Sequence, residues 1–399
     1  MIYIQHGPSW KPKMDLILNN KLADGIIWDP REEKKDRIVQ IKSENKLYST
    51  VNNIVDLKWY YAQFQNSSMK ELENLDYMPH RIIDRTYLRN KEELNEKYDE
   101  MINFQDEIKV NYYTTPSLYL SSFNERYVDR LFDIWDDFKN KDLNKDIYIS
   151  LMIHESAFDN ENYMREFIND ISNYINHYSG IYMVIDRDNT STFRNGFSES
   201  RLAQVMQFIY DLKRIGYKVI IGYCGLESIN YMAVGADIIG TGWFYSLRKF
   251  NKLEKGLEIT SRRGKPKKRY TSINYLNELS IDDHILLVPD EQKKKVLPII
   301  LNNSKYDELI KNGVYDTIPT NDMFCQYFET MNLLSLNFEK LPTIEEKIEY
   351  LENIIKTAII NVNSYNSLRE QNPVMKPLEK AHLLNYSSAI KIFKEQNFI

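Results

Sequence analysis

Ionisable side chains stand directly behind short apolar runs at several points of this chain. Asp29 follows Gly25, Ile26, Ile27 and Trp28 and precedes Pro30, Arg31 and Glu32; His6 follows Ile2, Tyr3, Ile4 and Gln5. His154 and Glu155, and further on Asp186, Arg187 and Asp188, close two more such runs. Carboxylates placed this way can serve as general acid, general base or nucleophile when their surroundings separate their proton affinities. Asp56 and Lys58 are two residues apart, so on an extended strand both side chains emerge on one side, where each favours the charged form of the other. The same pair also reads as an ion pair filling one layer of a core, and Asp29 before a proline also reads as a turn former. Neighbouring strand residues point opposite ways, so only one of His154 and Glu155 can face a common centre, and Glu155 is the better candidate. Asp29, Asp56, Lys58, Glu155 and Asp186 are therefore the candidate catalytic residues, and His6, Arg31, His154, Asp188, Thr241 and Trp243 the candidate binding residues.

His6, Glu155 and Asp186 offer hard oxygen and nitrogen donors of the kind that suits Mg or Mn. No ligand spacing accompanies them, and the zincin, P-loop and nucleophile-elbow patterns are absent, as is H-x-H; Gly240 to Gly242 is too short to be a dinucleotide fingerprint. The only two cysteines, Cys224 and Cys325, lie far apart. They exclude a disulfide framework and a thiolate zinc site, and they suit a reducing cytoplasm. The formal net charge of −5 gives no global attraction to nucleic acid or anionic lipid, so such binding must rest on a local patch. One exists: Arg262, Arg263, Lys265, Lys267, Lys268 and Arg269 come with no acid among them, and Gly264 and Pro266 interrupt any regular structure. The run reads as an exposed loop able to contact several phosphates, with Tyr270 or Trp243 available to stack on a base, or else as a solvated surface segment.

These residues need elements to position them. Short β-rich runs are expected at 2–5, 25–28, 54–60, 112–119, 146–153, 180–185, 218–222 and 237–240, separated by stretches with helical spacing of apolar residues. In the clearest unit Ser198 caps a helix over 199–215 that Gly216 ends, and another helix is expected over 160–177. Eight strands is the number at which a parallel sheet closes into a barrel filled by side chains. A doubly wound open sheet would give the same alternation. The segment from Gly216 to Phe244, a buried strand, a short helix, Gly235-Ala236-Asp237 and a closing strand, resembles the seventh and eighth units of many TIM barrels. Within that superfold it resembles the tRNA-guanine transglycosylases, where a similar stretch ends in a catalytic aspartate. Gly240 and Thr241 stand here where that aspartate is expected, and the cysteine-rich zinc site of that family is absent.

The expected architecture is an α/β chain: a (β/α)8 barrel over 1–250 with an insertion at about 61–111, a basic loop or linker over 251–272, and a mainly helical domain over 273–399. Hydrophobic residues make up 43% and charged residues 27% of the chain, as in an ordinary globular protein. No apolar run approaches the roughly 18 residues that cross a bilayer, and the N-terminus has no signal-peptide pattern, so a cytoplasmic location is expected. Barrel active sites form where strands end. The expected function is thus carboxylate-based cleavage or transfer at a glycosidic, N-glycosidic or phosphoester bond, on a nucleotide or nucleic acid. The rival is a non-catalytic scaffold that binds a protein or nucleic acid through the insertion or the helical domain.

Overall fold

Parallel strand pairing organises the chain up to Thr241. In the computed structural model, which describes all residues except 66, 142, 189–196, 253–266 and 313–314, the strands are β1 (Ile2–Gln5), β2 (Gly25–Trp28), β3 (Asn52–Val55), β4 (Tyr113–Thr114), β5 (Tyr119–Leu120), β6 (Ile147–His154), β7 (Gly180–Asp186), β8 (Lys218–Gly222) and β9 (Ile238–Thr241). They pair in the order β3-β2-β1-β9-β8-β7-β6-β4, with β5 also on β6, and every pair is parallel. The seam between β3 and β4 has no ladder. It is bridged instead by the Asn111 N–H to Asn53 O (2.9 Å), the Asn53 N–H to Asn111 Oδ1 (2.8 Å) and the Thr114 hydroxyl to Val55 O (2.8 Å). The result is a nearly closed (β/α)8, TIM-like barrel.

Two expected strands come out differently. The run at 112–119 is split because Pro116 has no N–H and restricts Thr115 before it. β4 and β5 pair with β6 on either side of the break, and the Thr115 hydroxyl accepts the Ser150 N–H that the ladder leaves over (3.0 Å). The run at 54–60 stops at Val55: Lys58 has φ of 59°, a left-handed conformation no strand accommodates, and Trp59–Gln63 is a 3-10 turn.

Tyrosines and glycines share the barrel interior. A Cβ on Gly25 would lie 2.6 Å from the ring of Tyr3, and one on Gly222 would lie 2.8 Å from the hydroxyl of Tyr182, so each large ring occupies the volume its facing glycine leaves open.

Helices separate the strands: α1 (Lys11–Asn19), α2 (Lys35–Glu44), α3 (Lys46–Thr50), α4 (Lys91–Glu107), α5 (Tyr127–Phe138), α6 (Glu161–Ile171), α7 (Glu199–Ile215) and α8 (Ser228–Ala233). Ser198 caps α7 through the Arg201 N–H, and Gly216 ends it at φ of 114°, as expected. After β9 come a hairpin, Arg269–Ser272 with Asn277–Ser280, and the helical region α9 (Asp290–Ile300), α10 (Asp307–Lys311), α11 (Thr320–Glu339), α12 (Ile344–Gln371) and α13 (Ala381–Asn397). Thr343 caps α12 through the Glu346 N–H at 3.2 Å. α11 packs on α1, α8 and β1, the position of a barrel's eighth outer helix, and Met1 donates to Ser335 on it (2.9 Å). No helix among the described residues is long and apolar enough to cross a membrane.

Candidate active site

Because all strands run the same way, their C-terminal ends share one mouth, and three of the five candidate catalytic residues meet there. Lys58 Nζ lies 2.7 Å from Asp56 Oδ2 and 3.5 Å from Asp29 Oδ2, so two carboxylates share one ammonium. All three residues are buried, at 1%, 1% and 2% exposure for Lys58, Asp56 and Asp29. The strand alternation that suggested the pairing is not its cause. β3 has already ended, and the left-handed turn at Lys58 folds its side chain back over Asp56, whose Oδ1 accepts the Lys58 N–H at 3.3 Å.

Tyrosines complete the cluster. Tyr223, at the end of β8 and also left-handed (φ 56°), receives a hydrogen bond from Lys58 Nζ at 2.6 Å and donates to Asp29 Oδ2 at 3.0 Å. Tyr182 and Tyr60 donate to Asp56 Oδ2 at 3.1 and 3.4 Å. Burial, and after it the neighbouring carboxylates, push all three phenols well above their ordinary value, so each stays protonated and can donate. The ring centroids of Tyr223 and Phe250 lie 4.5 and 5.2 Å from the ammonium. The turn role weighed for Asp29 is also present: its Oδ1 accepts the Arg31 N–H at 3.0 Å.

Asp186 ends β7 at the same mouth but has its own partners. Tyr119 donates to it at 2.9 Å and the Lys252 N–H at 2.8 Å, and Phe250, which bridges to Asp186 and faces Lys58, links it to the cluster. Burial raises the Asp186 carboxyl, a shift its hydrogen bonds reduce without reversing. Glu155 is occupied by Arg187 (2.6 Å), Arg201 (3.3 Å) and the Asp188 N–H (3.1 Å). His154 lies between Ser156 (2.7 Å) and Asp188 (3.1 Å).

The other candidates divide. His6 is fully buried between Trp10 and Trp28, at ring distances of 5.4 and 5.1 Å, with neither ring nitrogen in a hydrogen bond to another residue's side chain. His6, Glu155 and Asp186 do not form a metal-ligand set: no group of three or more His, Cys, Asp or Glu among the described residues is arranged to hold an ion. Arg31 ties the insertion down, donating to Ser68 O at 2.8 Å and pairing with Glu32 at 2.6 Å. Thr241 is spent on Cys224 O (2.6 Å) and Tyr327 (2.7 Å), which join β9 to α11.

The basic run is not an exposed loop of free charges from Lys267 onward. Arg262, Arg263 and Lys265 lie outside the described residues. Lys267 pairs with Asp283 at 2.6 Å, Lys268 is buried, and Arg269 begins the hairpin beneath Tyr245, so these three are not uncompensated loop charges. Trp243 and Tyr270 are both buried, Trp243 against Phe244 and Tyr270 with its hydroxyl on Asp307 at 2.6 Å, so neither presents a face to a base.

The insertion covers the mouth at β2 and β3. Tyr77 donates to Leu57 O at 3.0 Å and Lys70 pairs with Glu32 at 2.6 Å. A cleft of about 500 Å³ opens between it and α2, with Tyr77 and Phe104 in its lining. The sequence places Tyr223 at a strand end but gives Tyr60 and Tyr182 no functional reading; the inward parity of Tyr182 with Gly180 on β7 is the available signal. Comparison of the sequence with protein-family models and with curated proteins finds no match to either. The chain is thus defined by its fold, a TIM-like barrel with a helical C-terminal region, and by this lysine–aspartate–tyrosine cluster.

Proposed function

We propose that the protein is a barrel enzyme that uses Asp29 and Asp56, with Lys58 and Tyr223 between them, to cleave or transfer at a glycosidic, N-glycosidic or phosphoester bond. The observation that carries this reading is the convergence of four polar side chains from three strand ends, two of them on left-handed backbone. Such conformations cost about 1–3 kcal/mol each and persist where the surrounding structure demands them, often at reacting centres. Asp56, with three donors on one oxygen, holds Lys58 in place. Asp29, at the longer distance from the ammonium, is the base or nucleophile, and Tyr223 is the donor that moves a proton to or from it. Asp186 and Glu155 bind at the far side of the mouth. A nucleotide or nucleic acid is the proposed substrate class, supported by the basic residues Arg262, Arg263 and Lys265 of the sequence.

The test is turnover of p-nitrophenyl glycosides, nucleosides and nucleotides, and bis(p-nitrophenyl) phosphate by the full chain. One class should be turned over, and Asp29→Asn and Tyr223→Phe should each lower kcat by about a hundredfold or more while the fold is retained. If no class is turned over, and RNA or a protein partner binds wild type and both variants equally, the barrel is a scaffold.

A further inference from the structure

A second constellation lies at the same end of the barrel, built from residues the lysine–aspartate cluster does not use. Ser156 Oγ lies 2.7 Å from His154 Nδ1, and His154 Nε2 lies 3.1 Å from Asp188 Oδ1. The tautomer follows from the contacts. The Ser156 N–H also points at Nδ1, at 3.3 Å, so Nδ1 is the acceptor and the ring proton sits on Nε2, facing the carboxylate. The Nδ1 lone pair faces both the Ser156 N–H and the nearer Ser156 hydroxyl, whose other acceptor, Ser121 O, lies farther off at 3.4 Å. Nucleophile, base and orienting carboxylate thus stand in series at hydrogen-bonding distances, the geometry by which a serine is activated.

Asp188 is anchored on three sides. Its N–H donates to Glu155 at 3.1 Å, its carbonyl accepts from Lys249 at 2.9 Å, and Arg201 lies 3.4 Å from Oδ2. Ser156 sits on the turn from β6 into the 3-10 segment Glu155–Asp159 and is only partly buried, as is His154 at 19% exposure, so the relay is open to a ligand. The neighbouring arginines are already paired, Arg187 with Glu155 and Arg201 with Asp159 through two oxygens, and the Lys252 ammonium donates to the Tyr119 hydroxyl at 2.8 Å. The nearby wall is aromatic, with Tyr119 at 6.4 Å from the His154 ring and Phe64 at 5.1 Å from Tyr119. The paired arginines and the aromatic faces suit an uncharged ester with an apolar or aryl acyl group.

We propose that Ser156, His154 and Asp188 form a serine-nucleophile site for neutral carboxylic esters with a short apolar or aryl acyl group. Ser156 Oγ bonds to the acyl carbon as its proton passes to His154 Nδ1. The carbon–oxygen bond to the leaving alcohol breaks, and that alcohol takes the proton from Nδ1. Water, deprotonated by the same nitrogen, then attacks the acyl-serine and releases the carboxylic acid and the free hydroxyl.

The experiment is covalent labelling of the full chain with a fluorophosphonate probe, mapped by peptide mass spectrometry, together with hydrolysis of p-nitrophenyl butyrate. Wild type should label at Ser156 and hydrolyse the ester. His154→Asn is the informative variant, because asparagine keeps a cap acceptor for the Ser156 N–H but cannot act as a base. It should fold as wild type and label about a hundredfold more slowly, and Asp188→Asn should label more slowly than wild type. A wild-type protein unlabelled at Ser156, labelled instead at another serine, or labelled equally fast in His154→Asn, overturns the proposal. Both readouts are independent of whether Asp29 and Lys58 are catalytic.

Discussion

Replacing His6 by phenylalanine should change the pH dependence of stability by an amount the structure supplies. Burial, opposed by the Asp29, Glu33 and Glu32 carboxylates, lowers the His6 imidazole from 6.5 to about 4. The native state therefore holds it neutral, whereas the unfolded chain takes up a proton near pH 6.5. Stability is unaffected above pH 6.5 and falls as the pH drops from there towards 4, where the native state also protonates. At about 1.4 kcal/mol per pH unit, the wild type loses roughly 3 kcal/mol over that window from this residue alone. Phenylalanine in the same tryptophan-lined site carries a packing cost, but that cost does not vary with pH. Urea unfolding of both proteins at pH 7.5, 6, 5 and 4 isolates the effect as the change in their stability difference, since other titrating groups are common to both. The difference should move by about 3 kcal/mol in favour of His6→Phe as the pH falls. A difference that stays constant to within about 1 kcal/mol would mean that His6 is charged in the native protein, and the reasoning fails.

Two further outcomes follow from the geometry. Lys58→Met leaves Asp29 and Asp56 without their shared ammonium and should cost about 3–5 kcal/mol in urea unfolding; Lys58→Met with Asp56→Asn should be more stable than Lys58→Met alone, and a double variant no better than the single contradicts the shared-charge cluster. Lys21 ends α1 in a left-handed conformation (φ 54°), with its N–H to Leu18 O at 2.9 Å and the Leu22 N–H to Ile17 O at 3.0 Å, the helix ending that favours glycine. Lys21→Gly should raise stability by up to about 1 kcal/mol, and a loss of that size would count against this geometry.

Strand identity was legible wherever apolar period and turn residues agreed. β1, β2 and β8 match their expected bounds, and α7 begins and ends at its expected cap and glycine, because caps and alternation act over a few residues and are written locally. That carboxylates would gather at strand ends was also legible, since parallel strands in a barrel present one common mouth. What the mouth holds was not. Lys58 reaches Asp56 through a left-handed backbone, Tyr223 reaches Asp29 across 194 positions of sequence, and His154 finds Asp188 just past the end of the adjacent strand β7. The 29 tyrosines read as composition alone, yet Tyr3, Tyr148 and Tyr182 fit against interior glycines, a match set by sheet register rather than by neighbours in sequence. Compensation of charge is likewise a tertiary matter: Lys267 meets Asp283 and Lys268 is buried, so a run that looks uniformly basic is in part neutralised by the fold. The helix that completes the outer ring, α11, begins 79 residues after β9 ends, and only packing against α1 and α8 assigns it there. Local chemistry in the sequence determined which segments become strands and helices, and the long-range register of those segments decided which side chains share a site.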